Sequence, residues 1–310
     1  MSADLRARWR HRSLGAPREL SLSTGRIVCH EAGEGEPLVF LHGLFTNANV
    51  WRKVVAALSG DFRCITLDLP YGSHTVPVPD ADLSFGGLAG MTVEALEALG
   101  LGDVTLVGND GGTAVAQVVA VTRPDLLSRL VLTDGGAYDN APPHRYRSVL
   151  KAIGFAPLAR ELILGPLRWR PMRRMPFAQG WLTSRPVDSA TSDSWVLPAL
   201  VDDGVYADAR RMLRALDPTV MPEVARRLSD FTAPVLVAWS TKDQVYLPAH
   251  GERLAADFPD ARLVSIPNSG VLLGEEKPFE LATRIAEFVR ATGSAPVTAT
   301  APTQKVDEHA

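Results

Sequence analysis

Residues 107–113 read VGNDGGT, an acidic side chain, Asp110, set among glycines between two apolar runs. The run before it, "DVTLV", has strand character, and the run after it, "GTAVAQVVAV", has the small-residue pattern of a helix. Strand, tight turn and helix in that order frame a nucleophile elbow, usually spelt G-x-S-x-G. Here Gly108-Asn109-Asp110-Gly111-Gly112 puts aspartate at the serine position. A carboxylate is ionised at neutral pH and attacks carbon without help from a base. If burial raises its pKa, it can instead carry protons in a single step. The competing role is structural, because aspartate is a favoured N-cap and a helix begins at Gly112. The complete elbow frame favours chemistry over capping.

The elements needed to hold such a turn are legible along the chain. Strand-like runs occupy 18–23, 26–31, 37–43, 62–69, 103–109 and 127–134, with helical stretches near 48–58, 87–99 and 112–122. From Gly135 to Asp230 the alternation breaks into an Arg-, Pro- and Trp-rich helical segment, then resumes with strands at 233–240 and 261–266 and helices near 248–257 and 278–291. The pattern predicts an α/β fold: a mostly parallel eight-stranded sheet with helices on both faces and a helical insertion after strand 6. The expected division is a core of 1–136 and 231–292, a helical cap of 137–230 over the carboxyl ends of the strands, and a disordered tail of 293–310.

Composition narrows the class. Hydrophobic residues make up 46% and charged residues 22%, and no apolar run is long enough to span a bilayer. The basic start, "MSADLRARWRHRS", lacks the apolar core of a secretory signal. Cys29 and Cys64 fall in strand-like runs and read as buried thiols, in keeping with a cytoplasmic location. A net charge of −3 argues against nucleic acid as partner. The expected partner is a small-molecule substrate, without a membrane, cofactor or metal; a homodimer stays open. The segment 138–230 runs against the overall charge, with fourteen Lys/Arg against ten Asp/Glu, densest in "LRWRPMRRMP". Its Trp169, Trp181, Trp195, Phe155 and Phe177 could line a pocket or form its core.

Four motifs in order, "FLHGLFTNANVW" (40–51), "ITLDLPYGSHT" (65–75), "LVGNDGGTAVAQ" (106–117) and "WSTKDQVYLP" (239–248), make the chain resemble an α/β-hydrolase over roughly Arg18 to Thr292. Aspartate at the elbow makes it similar to the haloalkane dehalogenase and epoxide hydrolase branch, in which Asp forms an ester with the substrate. The resemblance implies an anion hole from the backbone N–H groups of Leu44 and Gly111. It makes Asp243 the acid that orients a catalytic histidine, and Asp134 a candidate second acid. That family writes P-x-x-G-H after the last strand. This chain reads "IPNSGVLLGEEKP" from Ile266 to Pro278, with Val271 at the histidine position. General-base help to water is typically worth ~10²–10⁴ in rate, so its loss leaves the second step of hydrolysis without a base.

Three accounts follow. His42, His74 or His144 could substitute, although His42 belongs to the His-Gly motif and such a residue usually supports its loop. Asp110 could work as an acid/base without a covalent intermediate, in an isomerisation, cyclisation or elimination. Or the site could bind ligand without turning it over. Dehalogenases of this branch place a halide-holding Trp after the nucleophile, and many an Asn after His-Gly. Gly111 and Leu44 stand there, which points away from haloalkanes. Epoxide hydrolases use tyrosines of the insertion, and Tyr138, Tyr146 and Tyr206 keep that chemistry open.

Overall fold

Strands rich in apolar and β-branched residues cannot leave either face to water, and six strands of the structure lie parallel in one sheet. A computed structural model describes residues 9–293. Its strands are β1 (Ala16–Leu22), β2 (Gly25–Ala32), β3 (Pro37–Leu41), β4 (Arg63–Asp68), β5 (Val104–Asp110), β6 (Leu127–Gly135), β7 (Val235–Ser240) and β8 (Ala261–Ile266). They form one sheet in the order β1-β2-β4-β3-β5-β6-β7-β8. The first two pairings, β1 with β2 and β2 with β4, are antiparallel, and all later ones are parallel. Every residue of β5 and β7 is buried, as expected of strands covered on both faces. At the margins β1 exposes five of its seven residues and β8 three of its six.

The helices begin where local chemistry allows. Ser84 caps Phe85–Ala98 by accepting from Gly87 N, and proline opens the helices at Pro248 and Pro278. The helix after β5 spans Gly111–Thr122, eleven of its twelve residues buried under the sheet. All eight strands fall within two residues of their expected bounds. Cys29 and Cys64 are free, buried thiols in β2 and β4.

Between Gly135 and Val235 the described chain contains no strand. Its principal helices are Arg147–Phe155, Ser189–Val201 and Asp203–Ala215, joined by short 3₁₀ and π turns. Asp188 and Asp202 cap the second and third. Buried side chains tie this segment to the sheet's carboxyl edge. Asn47 Nδ2 donates to Ser194 O at 2.8 Å, Ser73 Oγ to Trp195 O at 2.6 Å, and Arg52 pairs with both Asp188 and Glu275. Residues 294–310 of the expected tail lie outside the described residues. No helix among the described residues is long and apolar enough to cross a membrane.

The strand order reverses direction between β3 and β5. Their following loops therefore part at the carboxyl edge, the place where ligands collect in open α/β sheets.

Candidate active site

Asp110 ends β5 with φ 54° and ψ −120°, a conformation that non-glycine residues seldom adopt. Such strain is worth about 1–3 kcal/mol and is kept where the surroundings enforce it. Here glycines enforce it by close approach. A Cβ on Gly112 would lie 2.4 Å from Leu41 O, and one on Gly43 would lie 2.0 Å from Asp110 Oδ2.

The carboxylate does not cap the helix behind it, and makes no side-chain cap hydrogen bond. Its Oδ2 accepts from Leu44 N at 2.8 Å, and Gly111 N–H adds a further backbone bond. Its Oδ1 accepts from the Tyr246 hydroxyl at 2.6 Å. Burial pushes the Asp110 pKa up to about 6, against the pull of the bonds from Tyr246, Leu44 and Gly111. The Leu44 and Gly111 N–H groups expected to hold an anion thus face the Asp110 carboxylate itself.

Asp110 borders a cavity of about 110 Å³ whose wall includes many residues of the insertion. Its wall is chiefly apolar, with Leu44, Val149, Ile153, Leu164, Trp195 and Val245 among its residues; Thr46, Tyr146, Arg173 and Gln179 supply the polar points. Of the aromatic residues singled out in the sequence, Trp195 and Phe177 line it. Trp181 packs edge-on against Tyr146, while Trp169 and Phe155 face solvent.

The other acids form a pair beside it. Asp134 accepts from Ser240 N and Ser240 Oγ, both at 2.9 Å, and shares a hydrogen bond with Asp243. Asp243 Oδ1 accepts from Val245 N at 2.6 Å and Tyr246 N at 2.9 Å, so it also holds the turn that carries Tyr246. Burial, reinforced by the neighbouring Asp243 charge, drives the Asp134 pKa well above the carboxylate range. Burial likewise raises Asp243 to about 6, with the Asp110 charge adding to the shift. Two carboxyls so placed hold one proton between them near neutral pH.

None of the three candidate histidines lines the cavity. His42 is fully buried; its Nδ1 meets Gly43 O, its Nε2 accepts from Leu69 N, and burial depresses its pKa to about 4. His74 meets Asp208 Oδ2 at 3.2 Å in a separate crevice beside β2. His144 is exposed and contacts Asp139 O. Val271 is completely buried, and its carbonyl accepts from Asn109 Nδ2 at 2.8 Å. Among the tyrosines, Tyr146 lines the cavity and gives its O–H to Pro176 O and Ala178 O. Tyr138 instead reaches Asp257, and Tyr206 lies beneath Arg160 and Arg210.

Two residues of the site escape a reading of the sequence. Tyr246 sits inside the quoted "WSTKDQVYLP" run, and the available signal was Asp three residues earlier, able to form a turn that aims it. Asn109 donates to Thr133 Oγ1, Asp134 O and Val271 O, pinning the elbow to β6 and to the turn after β8. That role needs three separate segments brought together.

The α/β hydrolase fold model matches residues 36–278. The chain belongs to the α/β-hydrolase family. It is 25% identical over 259 residues to the uncharacterized hydrolase YugF of Bacillus subtilis, covering 82% of this chain and 90% of that protein. It is 26% identical over 274 residues to haloalkane dehalogenase 2 of Mycobacterium tuberculosis, covering 86% and 92%. Among solved structures, a loop variant of a haloalkane dehalogenase from Bradyrhizobium elkanii superposes with a TM-score of 0.75 at 18% identity, covering 89% of this chain and 97% of that one. The similarities place this α/β-hydrolase beside the dehalogenase-like branch of the family.

Proposed function

We propose that this α/β-hydrolase-fold protein is an enzyme acting on a small, largely apolar molecule, with Asp110 as a one-step acid/base and the helical insertion as its cap. The observation that carries the reading is the carboxylate of Asp110. It faces an apolar cavity lined by no histidine among the described residues, held by Leu44 N–H and the Tyr246 hydroxyl, with a pKa of about 6. A base whose pKa lies near the working pH has both forms available, as proton transfer requires. The carboxylate takes a proton from substrate carbon or oxygen and returns it at another atom of the same molecule, so the balance closes without water. Isomerisation, cyclisation and elimination all fit that sequence. Tyr246 and the two N–H groups keep the carboxylate oriented and limit how far burial raises its pKa.

Ester hydrolysis through a covalent Asp110 intermediate is less well supported. Among the described residues no imidazole borders the cavity to activate water, and Val271 is packed in the core. Dehalogenation, the activity named for the mycobacterial relative, would lack the halide-holding Trp and Asn that the family resemblance implies. The test is intact-mass spectrometry and product analysis with panels of epoxides, esters and alkyl halides, on wild type and Asp110→Asn. Turnover without an adduct, lost in Asp110→Asn, is the expected result. A stable adduct on Asp110 would replace the acid/base role with covalent attack; binding without turnover, unchanged in the variant, would remove the enzyme reading.

A further inference from the structure

The arginine-dense run 167–176 has no part in the chemistry above, yet it borders the cavity. A second cavity of about 430 Å³ opens in the insertion, lined by Arg170, Arg173, Arg174 and Arg185 with hydroxyls such as Thr183 and Ser184. No aspartate or glutamate among the described residues lines it. Asp193 pairs with Arg170 and Arg173, while Arg174 and Arg185 are exposed and have no ion-pair partner among the described residues.

Arg173 is the hinge between the two spaces, lining both this cavity and the apolar one in front of Asp110; Gln179 does the same. Only 3% of Arg173 is exposed. Its Nε donates to Leu167 O at 2.7 Å and its Nη1 to Ser192 Oγ and Asp193 Oδ1, which fixes the guanidinium plane. Its Nη2 has no hydrogen-bond partner among the described residues. A buried, oriented guanidinium with a free N–H₂ edge, backed by two unpaired arginines, is suited to a planar or tetrahedral oxyanion. Four arginines against the single Asp193 leave a net positive cluster, which also favours an arriving anion by long-range attraction.

We propose that the two cavities form one binding site for an amphipathic organic anion. Its carboxylate or phosphate end lies among Arg173, Arg174 and Arg185, and its apolar body extends through the shared wall to Asp110. The proposal rests on the reading that Asp110's cavity receives the reacting part, and it narrows the substrate class to molecules with an anionic terminus.

Calorimetry on the full chain with octanoate, octyl phosphate and 1-octanol tests it at low and raised NaCl. At least one anion should bind about tenfold more tightly than the alcohol and weaken with salt. The tighter of the two anions identifies the head group. The exposed pair Arg174→Gln/Arg185→Gln should lower anion affinity about tenfold, as loss of a charge-assisted contact does, and leave 1-octanol binding unchanged. Circular dichroism confirms that the variant is folded. Equal binding of octanoate, octyl phosphate and 1-octanol, or anion affinity indifferent to the double substitution, would overturn the proposal. Asp110→Asn keeps the two readings apart, because it should retain anion binding while abolishing turnover. Failure of the arginine arms therefore says nothing against Asp110, and inactivity of the wild type says nothing against the arginines.

Discussion

Asp110 is costly to the fold, and replacing it should show how costly. The group is 5% exposed, and its pKa rises from 3.8 to about 6 on folding. A shift of about two units, at roughly 1.4 kcal/mol each, is an order-of-magnitude cost of about 3 kcal/mol for holding the charge in the folded state. Because the folded pKa is the higher one, the folded chain binds more protons than the unfolded chain between pH 3.8 and about 6. Stability therefore falls as pH rises through that window, and the penalty is complete above it. Asn fits the same space and tolerates the positive φ at this position. It keeps an acceptor for Leu44 N–H, while the Tyr246 hydroxyl can turn to accept from the new amide. Asp110→Asn is thus expected to be more stable than wild type by about 2–3 kcal/mol near pH 7.5, with the gain shrinking towards zero near pH 4. Urea unfolding of both proteins across that range measures it, and the pairwise difference cancels the titration of groups they share. A variant no more stable than wild type near pH 7.5, or a difference independent of pH, would refute the claim that a buried charge sits at position 110.

The remaining predictions test the supports of the site. Tyr246→Phe removes the donor to Asp110 Oδ1, so the Asp110 pKa should rise by roughly one unit further, read as an upward shift of the acidic limb of the pH–rate profile. Gly43→Ala brings a Cβ to 2.0 Å from Asp110 Oδ2 and 2.3 Å from Asp110 Cβ; it should cost roughly 1–3 kcal/mol in thermal unfolding and abolish activity. Asp134→Ala strips the partner from Ser240 N, Ser240 Oγ and Asp243 and should cost about 2–4 kcal/mol, whereas Asp134→Asn, which can still donate to Asp243, should lose about 1 kcal/mol or less.

Much of the scaffold was readable because its signals are local. The runs "PLVFLHG", "DVTLVGN" and "APVLVAWS" are apolar along their length, so only a strand covered on both faces could hold them, and each became a parallel strand. The elbow was readable for the same reason, since Gly108, Gly111 and Gly112 around Asp110 are demanded by a turn within a few residues of chain. The site's environment was not. Whether His74 and His144 could reach Asp110 depended on how the insertion folds, and it leaves one against Asp208 and the other in solvent. Tyr246 lies 136 residues from Asp110, and no periodicity links them.

By itself the sequence determined the α/β-hydrolase fold, the position of the acidic elbow and the valine that stands at position 271, because each is written in neighbouring residues or in a spacing along the chain. The tertiary structure alone decided what Asp110 meets. Burial beneath the insertion lifts its pKa, Tyr246 and Leu44 N–H hold its oxygens, and Arg173 joins its cavity to a basic one. Desolvation and hydrogen-bond geometry arise only when distant segments pack together, and they set the chemistry a carboxylate can perform.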